Sequence, residues 1–520
     1  MKTGKKMTKA ILALLLAGLM LFSLAACGKK DEPGASEPVG DSAPAVRDTI
    51  NVAISQDSGS LHPLVVTGAF TSVIYNYYEP LFDFKSDGTI IWKVAESMDI
   101  VSDIQRTLHI RQGVTFSNGN PLTAEDVMFT MELCLEDPGA WLNVKAVDFE
   151  RTRVVDEYTI DLWYTEFNAG QEPGFCMMMI MDKESYDEVA LSLNPIGTGP
   201  YVVTDYVVNS HLTLEARDDY WGGTPAIKKI NFKVLNEQSQ IINALETGEV
   251  DIAIIPVKDA AFVESLGYNI DTVSNGVSYV SLFSMGEGSP LASKEARYAV
   301  CHAIDRQAIV DVVFSGLSKA VDWPISESCG DYEARFANLH DTYSVGYDPD
   351  RARALAEQSG LVGQRVRIIN NGTPDTSTIA EIIQNNLIEI GINAEILNYD
   401  QATYFDIIMD ESNFEIAIFN PSAPSVLASD IFAMYLTFIP LGWYGPERDA
   451  YGQISMEALT TFDENTRSQK LYETLQMFLD FAPWYGLCEV DGIRARASSL
   501  RGVEYTVTGI IYFQNVYFAE

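Results

Sequence analysis

Val366-Arg367-Ile368-Ile369 reads as a strand, Asn370 to Ser377 as a polar loop, and the next stretch carries Ile379, Ile382, Ile383 and Leu387 at helical spacing before Gly391 stops it. Asn393 to Leu397 then supplies the next strand. This strand–helix–strand unit predicts an α/β fold. Other elements are legible on either side of it. Thr49 to Ile54 alternates like a strand, as does Leu108-His109-Ile110-Arg111. Tyr78 to Phe84 and the run from Thr89 flank the hairpin-like turn Lys85-Ser86-Asp87-Gly88. Thr123 is placed to cap a helix whose first turn holds Glu125 and Asp126, and Asp348-Pro349 begins another with proline at the first helical position. Strands and helices mix without the strict rhythm of one parallel sheet, and there is no internal repeat.

With 520 residues the chain exceeds what one core of roughly 100–200 residues serves, so two or three domains are expected. Hydrophobic content of 47% and aromatic content of 11% argue for packed cores rather than disorder. The net charge of −37 repels phosphate backbones, so nucleic acid is not an expected partner. Besides Cys27 the cysteines are Cys134, Cys176, Cys301, Cys329 and Cys488, with no C-x-x-C pair. Buried single thiols describe them better than a disulfide scaffold.

The N-terminus gives a location. Lys2, Lys5, Lys6 and Lys9 precede an apolar run from Ala10 to Ala26, which ends at Leu24-Ala25-Ala26-Cys27-Gly28. A basic start, a short apolar run and small residues at the cut describe a secretory signal peptide over 1–26. The run contains Gly18 and Ser23 and falls short of the about 20 residues a membrane span needs. Cys27 directly after the small residues resembles a bacterial lipobox, which implies a lipidated N-terminus. Residues 27–47, rich in proline and small residues, read as that cysteine and a disordered spacer. The protein is expected at the outer face of the cell membrane, on a monoderm surface or in a periplasm, held by lipid.

A search for chemistry is negative. No H-E-x-x-H, G-x-S-x-G, Walker loop or complete G-x-G-x-x-G occurs. No two of the five histidines are spaced as ligands on one helix. Acids are so numerous that nominating a catalytic pair carries no information. The expectation is no enzyme, no cofactor and no metal.

A series of segments carries a resemblance. It comprises Tyr78-Glu79-Pro80-Leu81-Phe82, Leu108 to Phe116, Gly119 to Val127, Pro195 to Tyr201, Tyr220-Trp221, Leu245 to Asp251, Ala296 to Ala299, Ala303 to Arg306 and Ala482-Pro483-Trp484. In this order, the chain resembles solute-binding proteins of peptide and nickel ABC transporters, bacterial extracellular solute-binding protein family 5. The resemblance implies a two-lobed periplasmic-binding-protein-like clamp of α/β lobes. Lobe I would span 48–275 plus 484–520, with an extra subdomain inserted at about 80–195, and lobe II would span 276–483. Hinges are expected near Ser278–Phe283 and Ala482–Gly486. The implied partners are a small solute or short peptide and the ABC permease subunits, with the receptor a monomer.

Peptide-binding members hold the peptide α-amino group with an aspartate beyond a lobe II strand, since a buried ammonium must meet a carboxylate. Here Phe414 to Phe419 is the matching strand; Pro421 stands at the tryptophan position and Pro424 at the aspartate position. Asp430 could substitute only through a different loop path. Peptide remains the first expectation, with a sugar, opine or metal chelate as the alternative solute and a ligand sensor as the alternative role. Cleft contacts are expected where loops leave the carboxyl ends of strands. These are Ser55 and Ser58 in lobe I, Asn370, Asn371 and Thr373 after one lobe II strand, and Phe419, Asn420 and Ser422 after another. Trp443 and Tyr444 are candidates to stack on ligand, although aromatic pairs are as often core.

Overall fold

A computed structural model describes residues 47–66, 71–85, 88–273, 278–321, 325–343, 345–410, 413–420 and 427–519. The signal peptide, Cys27, nearly all of the spacer, Pro421, Ser422 and Pro424 lie outside the described residues. Arg47–Glu520 forms one compact unit.

Among the described residues its architecture is two large sheets, one four-stranded sheet and two two-stranded ribbons. The first sheet has seven strands, in the order Tyr268–Val273, Gly492–Ala497, Ile252–Ile254, Thr49–Ile54, Lys229–Val234, His211–Ala216 and Tyr201–Val207. Thr49–Ile54 runs parallel to both of its neighbours. The second has six, in the order Lys319–Ala320, Trp484–Glu489, Ser278–Phe283, Ile416–Phe419, Arg365–Asn370 and Asn393–Asn398, with Arg365–Asn370 parallel to both of its neighbours. Both sheets pack apolar side chains on two faces, and Ile416–Phe419 is accordingly buried along its whole length. Val52 and Ile54 enter one core and Ala53 another. Ile368 and Ile369 likewise enter different cores, as successive side chains on a strand must.

The third sheet, Ala95–Ser102, Gln105–Ile110, Thr159–Trp163 and Arg153–Asp156, packs on the helix Ala124–Glu136 around a core of its own that includes Leu108, Val127 and Ile160. The Asp126 carboxylate accepts from both the Thr123 N–H, at 2.8 Å, and the Thr123 hydroxyl, at 2.9 Å, fixing the start of that helix. The hairpin expected around Gly88 is present as Phe82–Phe84 paired with Ile90–Trp92.

Two features differ from the sequence reading. The helix after Arg365–Asn370 begins at Pro374, within the stretch read as loop, because Thr373 caps it and proline suits its first turn. The segments expected as hinges, Ser278–Phe283 and Ala482–Gly486, contribute strands to the second sheet. The chain changes sheets between Val273 and Ser278 and again at Val490–Asp491. All five described cysteines are buried free thiols. No described helix is long and apolar enough to cross a membrane.

Candidate functional site

In each large sheet one strand has parallel neighbours reached by connections on opposite sides. From Arg365–Asn370 the chain goes through the helix Pro374–Glu389 to the strand Asn393–Asn398 on one side. It then returns through Gln401–Ile408 to Ile416–Phe419 on the other. Such a switch of direction opens a crevice outside the carboxyl ends of the strands, where ligands bind in open α/β sheets. Asn371, Thr373, Phe419 and Asn420 line one pocket at that place. The first sheet has the matching switch at Thr49–Ile54, between Lys229–Val234 and Ile252–Ile254, and Ser55 lines the pocket at its end.

The candidate side chains differ in what remains free. Asn370 is fully buried; its amide donates to Asn398 Oδ1 at 2.6 Å, and its Oδ1 accepts from the Gly372 N–H at 2.9 Å. It braces the loop and does not offer itself to a solute. Asn371 donates to Gln401 Oε1 at 2.8 Å and accepts from Thr376 at 2.7 Å, while Thr373 caps the helix. Asn371 and Thr373 keep their places on the pocket wall. The Ser58 hydroxyl donates to the Ser60 carbonyl at 2.9 Å within its own turn. Trp443 and Tyr444 part company: Trp443 is buried and stacks on Phe481 with centroids 4.0 Å apart, whereas Tyr444 is 71% exposed. Trp443 belongs to the core.

Sequence reasoning missed Tyr279, Thr376, Gln401, Tyr404, Phe405 and Ile418, which also line the pocket. Gln401 and Phe405 come from the helix that returns to the switch, so the rule that selected Asn371 would have reached them had that helix been recognised. Burial pushes the Tyr279 hydroxyl well above its ordinary value, so it stands on the pocket wall as a neutral phenol. Among the described residues no cluster of three His, Cys, Asp or Glu side chains is arranged to hold a metal ion.

Asp430 has a partner that no spacing suggested. It is buried at the start of the helix Ala428–Phe438, and Lys145 Nζ lies 3.0 Å from its Oδ1 and 3.3 Å from its Oδ2. Lys145 follows the short helix Trp141–Val144, part of the small-sheet region, so this pair joins that region to the second large sheet's lobe. The Ala169 N–H donates to the Leu459 carbonyl at 2.9 Å and Phe167 packs edge-on against Phe462, extending the same junction. Gly170 allows the close approach, since a Cβ there would stand 2.9 Å from Asp430 Oδ2. The Lys145 ammonium thus occupies the Asp430 carboxylate.

The chain matches Bacterial extracellular solute-binding proteins, family 5 Middle, over residues 89–438, and it belongs to that family. It is 27% identical over 413 residues to the nickel-binding periplasmic protein of Escherichia coli, covering 74% of this chain and 76% of that protein. Its fold matches the ABC transporter substrate-binding protein CtaP of Listeria monocytogenes with a TM-score of 0.80 at 22% identity, covering 91% of this chain and all of the other. A putative peptide-binding protein, AppA, from Clostridium difficile matches with a TM-score of 0.80 at 19% identity, over 90% of this chain and all of the other. The fold is thus the two-lobed α/β clamp of ABC-transporter solute-binding proteins.

Proposed function

We propose that this protein is the receptor of an ABC importer that captures a small solute, in the first instance a short peptide, between its lobes and presents it to the permease without chemical change. The observation that carries this reading is the pair of pockets at the two switch points, one in each large sheet. Asn371, Thr373, Phe419, Asn420 and Tyr444 are the contacts we assign to one side and Ser55 to the other. Lobe I would comprise 48–273 and the strands from Gly492 onward; lobe II would run from Ser278 to Glu489. Ligand contacts on both lobes would stabilise the closed state relative to the open one. The Lys145–Asp430 pair favours a second reading, in which the solute is not held by an amine: a sugar, opine or metal chelate, or a ligand sensed rather than imported.

Native mass spectrometry of the gently purified protein tests this, because a buried contact set slows dissociation. A heterogeneous set of short peptides in the released ligand is expected, and one non-peptide mass would replace the peptide assignment. Turnover of the bound molecule would sink the receptor reading itself. The lipid anchor on Cys27 is proposed from the leader alone. Cys27→Ser is expected to move the protein out of the membrane fraction, and retention there would remove the anchor.

A further inference from the structure

The pocket at the end of Thr49–Ile54 contains a cation, Arg494, with no ion pair within 4 Å among the described residues. Its wall includes Val52, Ile241, Ile252, Ile511 and Phe513, and Arg494 is part of it. Arg494 lies on Gly492–Ala497, opposite Ile254 on one side and Asp271 on the other. Its Nη2 donates to the Gly509 carbonyl at 3.0 Å, and its guanidinium carbon lies 5.3 Å from the Tyr505 ring centroid. Nη1 is buried and has no hydrogen-bond partner among the described residues. Asp271 is already engaged by Arg496 Nε at 2.6 Å and by the Tyr505 hydroxyl at 2.8 Å.

Two glycines make room for this side chain. A Cβ at Gly492 would stand 2.8 Å from Nη1, and one at Gly509 would stand 2.5 Å from Nη2. Gly509 also has φ +77°, a conformation other residues rarely adopt. A buried charged donor left unmade is costly, and native structures seldom keep one without a use. It is the more conspicuous in a chain with 72 acids against 35 bases, where counter-ions are abundant.

We infer that this pocket receives a carboxylate borne by an apolar solute, with the Arg494 guanidinium as its donor and the apolar wall taking the adjoining chain. The inference rests on the solute-binding reading above and adds the chemical class of the ligand. A monoanionic carboxylate fits a single guanidinium edge in parallel hydrogen bonds. A phosphate, with more charge to desolvate, would need further cations that the wall does not supply. The shared chemistry covers a peptide's terminal carboxylate and a free aliphatic acid alike.

The test is competitive binding to the full-length protein of three probes: a pool of short apolar peptides with free C-termini, the same pool amidated, and octanoate. The free-acid peptides are expected to bind roughly tenfold or more tighter than the amides. In Arg494→Met that preference disappears, while Arg494→Lys retains part of it. Octanoate bound in place of peptides supports the inference and assigns a free acid as the solute. Equal binding of acids and amides, or a preference that survives in Arg494→Met, overturns the carboxylate site and leaves the solute-binding reading intact. Failure of the wild type to bind any probe overturns the carboxylate site and moves the receptor to a solute without a carboxylate. If Arg494→Met does not fold, the wild-type contrast between acid and amide decides alone, with Arg494→Lys beside it.

Discussion

Glu79→Leu is expected to cost roughly 3–5 kcal/mol in the first unfolding transition, the penalty of stripping one partner from a buried ion pair. Glu79 is fully buried within the segment Tyr78-Glu79-Pro80-Leu81-Phe82. Its carboxylate accepts from the Tyr220 hydroxyl at 2.6 Å and the Trp221 indole N–H at 3.0 Å, with Lys93 Nζ at 3.8 Å. Lys93 is itself buried and lies 3.5 Å from the centroid of the Tyr512 ring. Burial pulls the Lys93 ammonium below its ordinary value; Glu79 and Asp83 oppose that fall. Burial also pushes the Asp83 carboxyl up to about 6, against the hydrogen bond donated by Tyr512, so Asp83 opposes the loss of Glu79 less as the pH falls towards 6. Removing Glu79 orphans two donors and a cation together. Denaturant unfolding of Glu79→Leu, Glu79→Gln and wild type measures it, with Gln expected between the other two. A loss below about 1 kcal/mol in Glu79→Leu would mean that water or Asp83 takes over the cation. The first part of the family-like sequence is therefore accounted for as a structural knot rather than a ligand contact.

Lys145→Met is expected to loosen the junction between the small-sheet region and the second lobe by a comparable amount, because Asp430 then keeps a buried charge without its ammonium. In the double variant Lys145→Met/Asp430→Leu both charges are gone, and most of the loss should return, since apolar replacement of a buried pair is often neutral or better. Small-angle scattering of the ligand-free protein should show a larger radius of gyration for the single variant and a value near wild type for the double. Melting temperatures should follow the same order. If the two substitutions act additively, with no recovery in the double variant, the pair does not couple these regions.

The parts legible in sequence were those whose cause is local. The unit beginning at Val366 was readable because two-sided burial leaves a dense apolar run and Gly391 ends the helix; only the helix start slipped, since Pro374 and Thr373 outweighed the polar look of the loop. Asking which loops leave strand ends leads to Asn371, Thr373, Phe419 and Asn420, which line the pocket. Asn370 was chosen by the same rule and turned inward, because the last residue of a strand alternates with the loop side chains that follow it. Trp443 and Tyr444 adjoin in sequence, and nothing local says which points into the core. Lys145 and Asp430 stand 285 positions apart, and Arg494 meets Thr49–Ile54 only through the sheet. Such pairings are products of topology and leave no mark in spacing.

The place of Gly492–Ala497 in the first sheet governs the order in which the protein can be completed. This strand is interior, separating Tyr268–Val273 from Ile252–Ile254. A chain growing from its N-terminus must therefore make everything between Val273 and Gly492 before Tyr268–Val273 can gain its sheet partner. Pairings of such long separation form slowly. Until then Ile252–Ile254 has an open edge. Gly492–Ala497 is the last strand of the first sheet to be made, so connectivity itself delays the completion of that sheet.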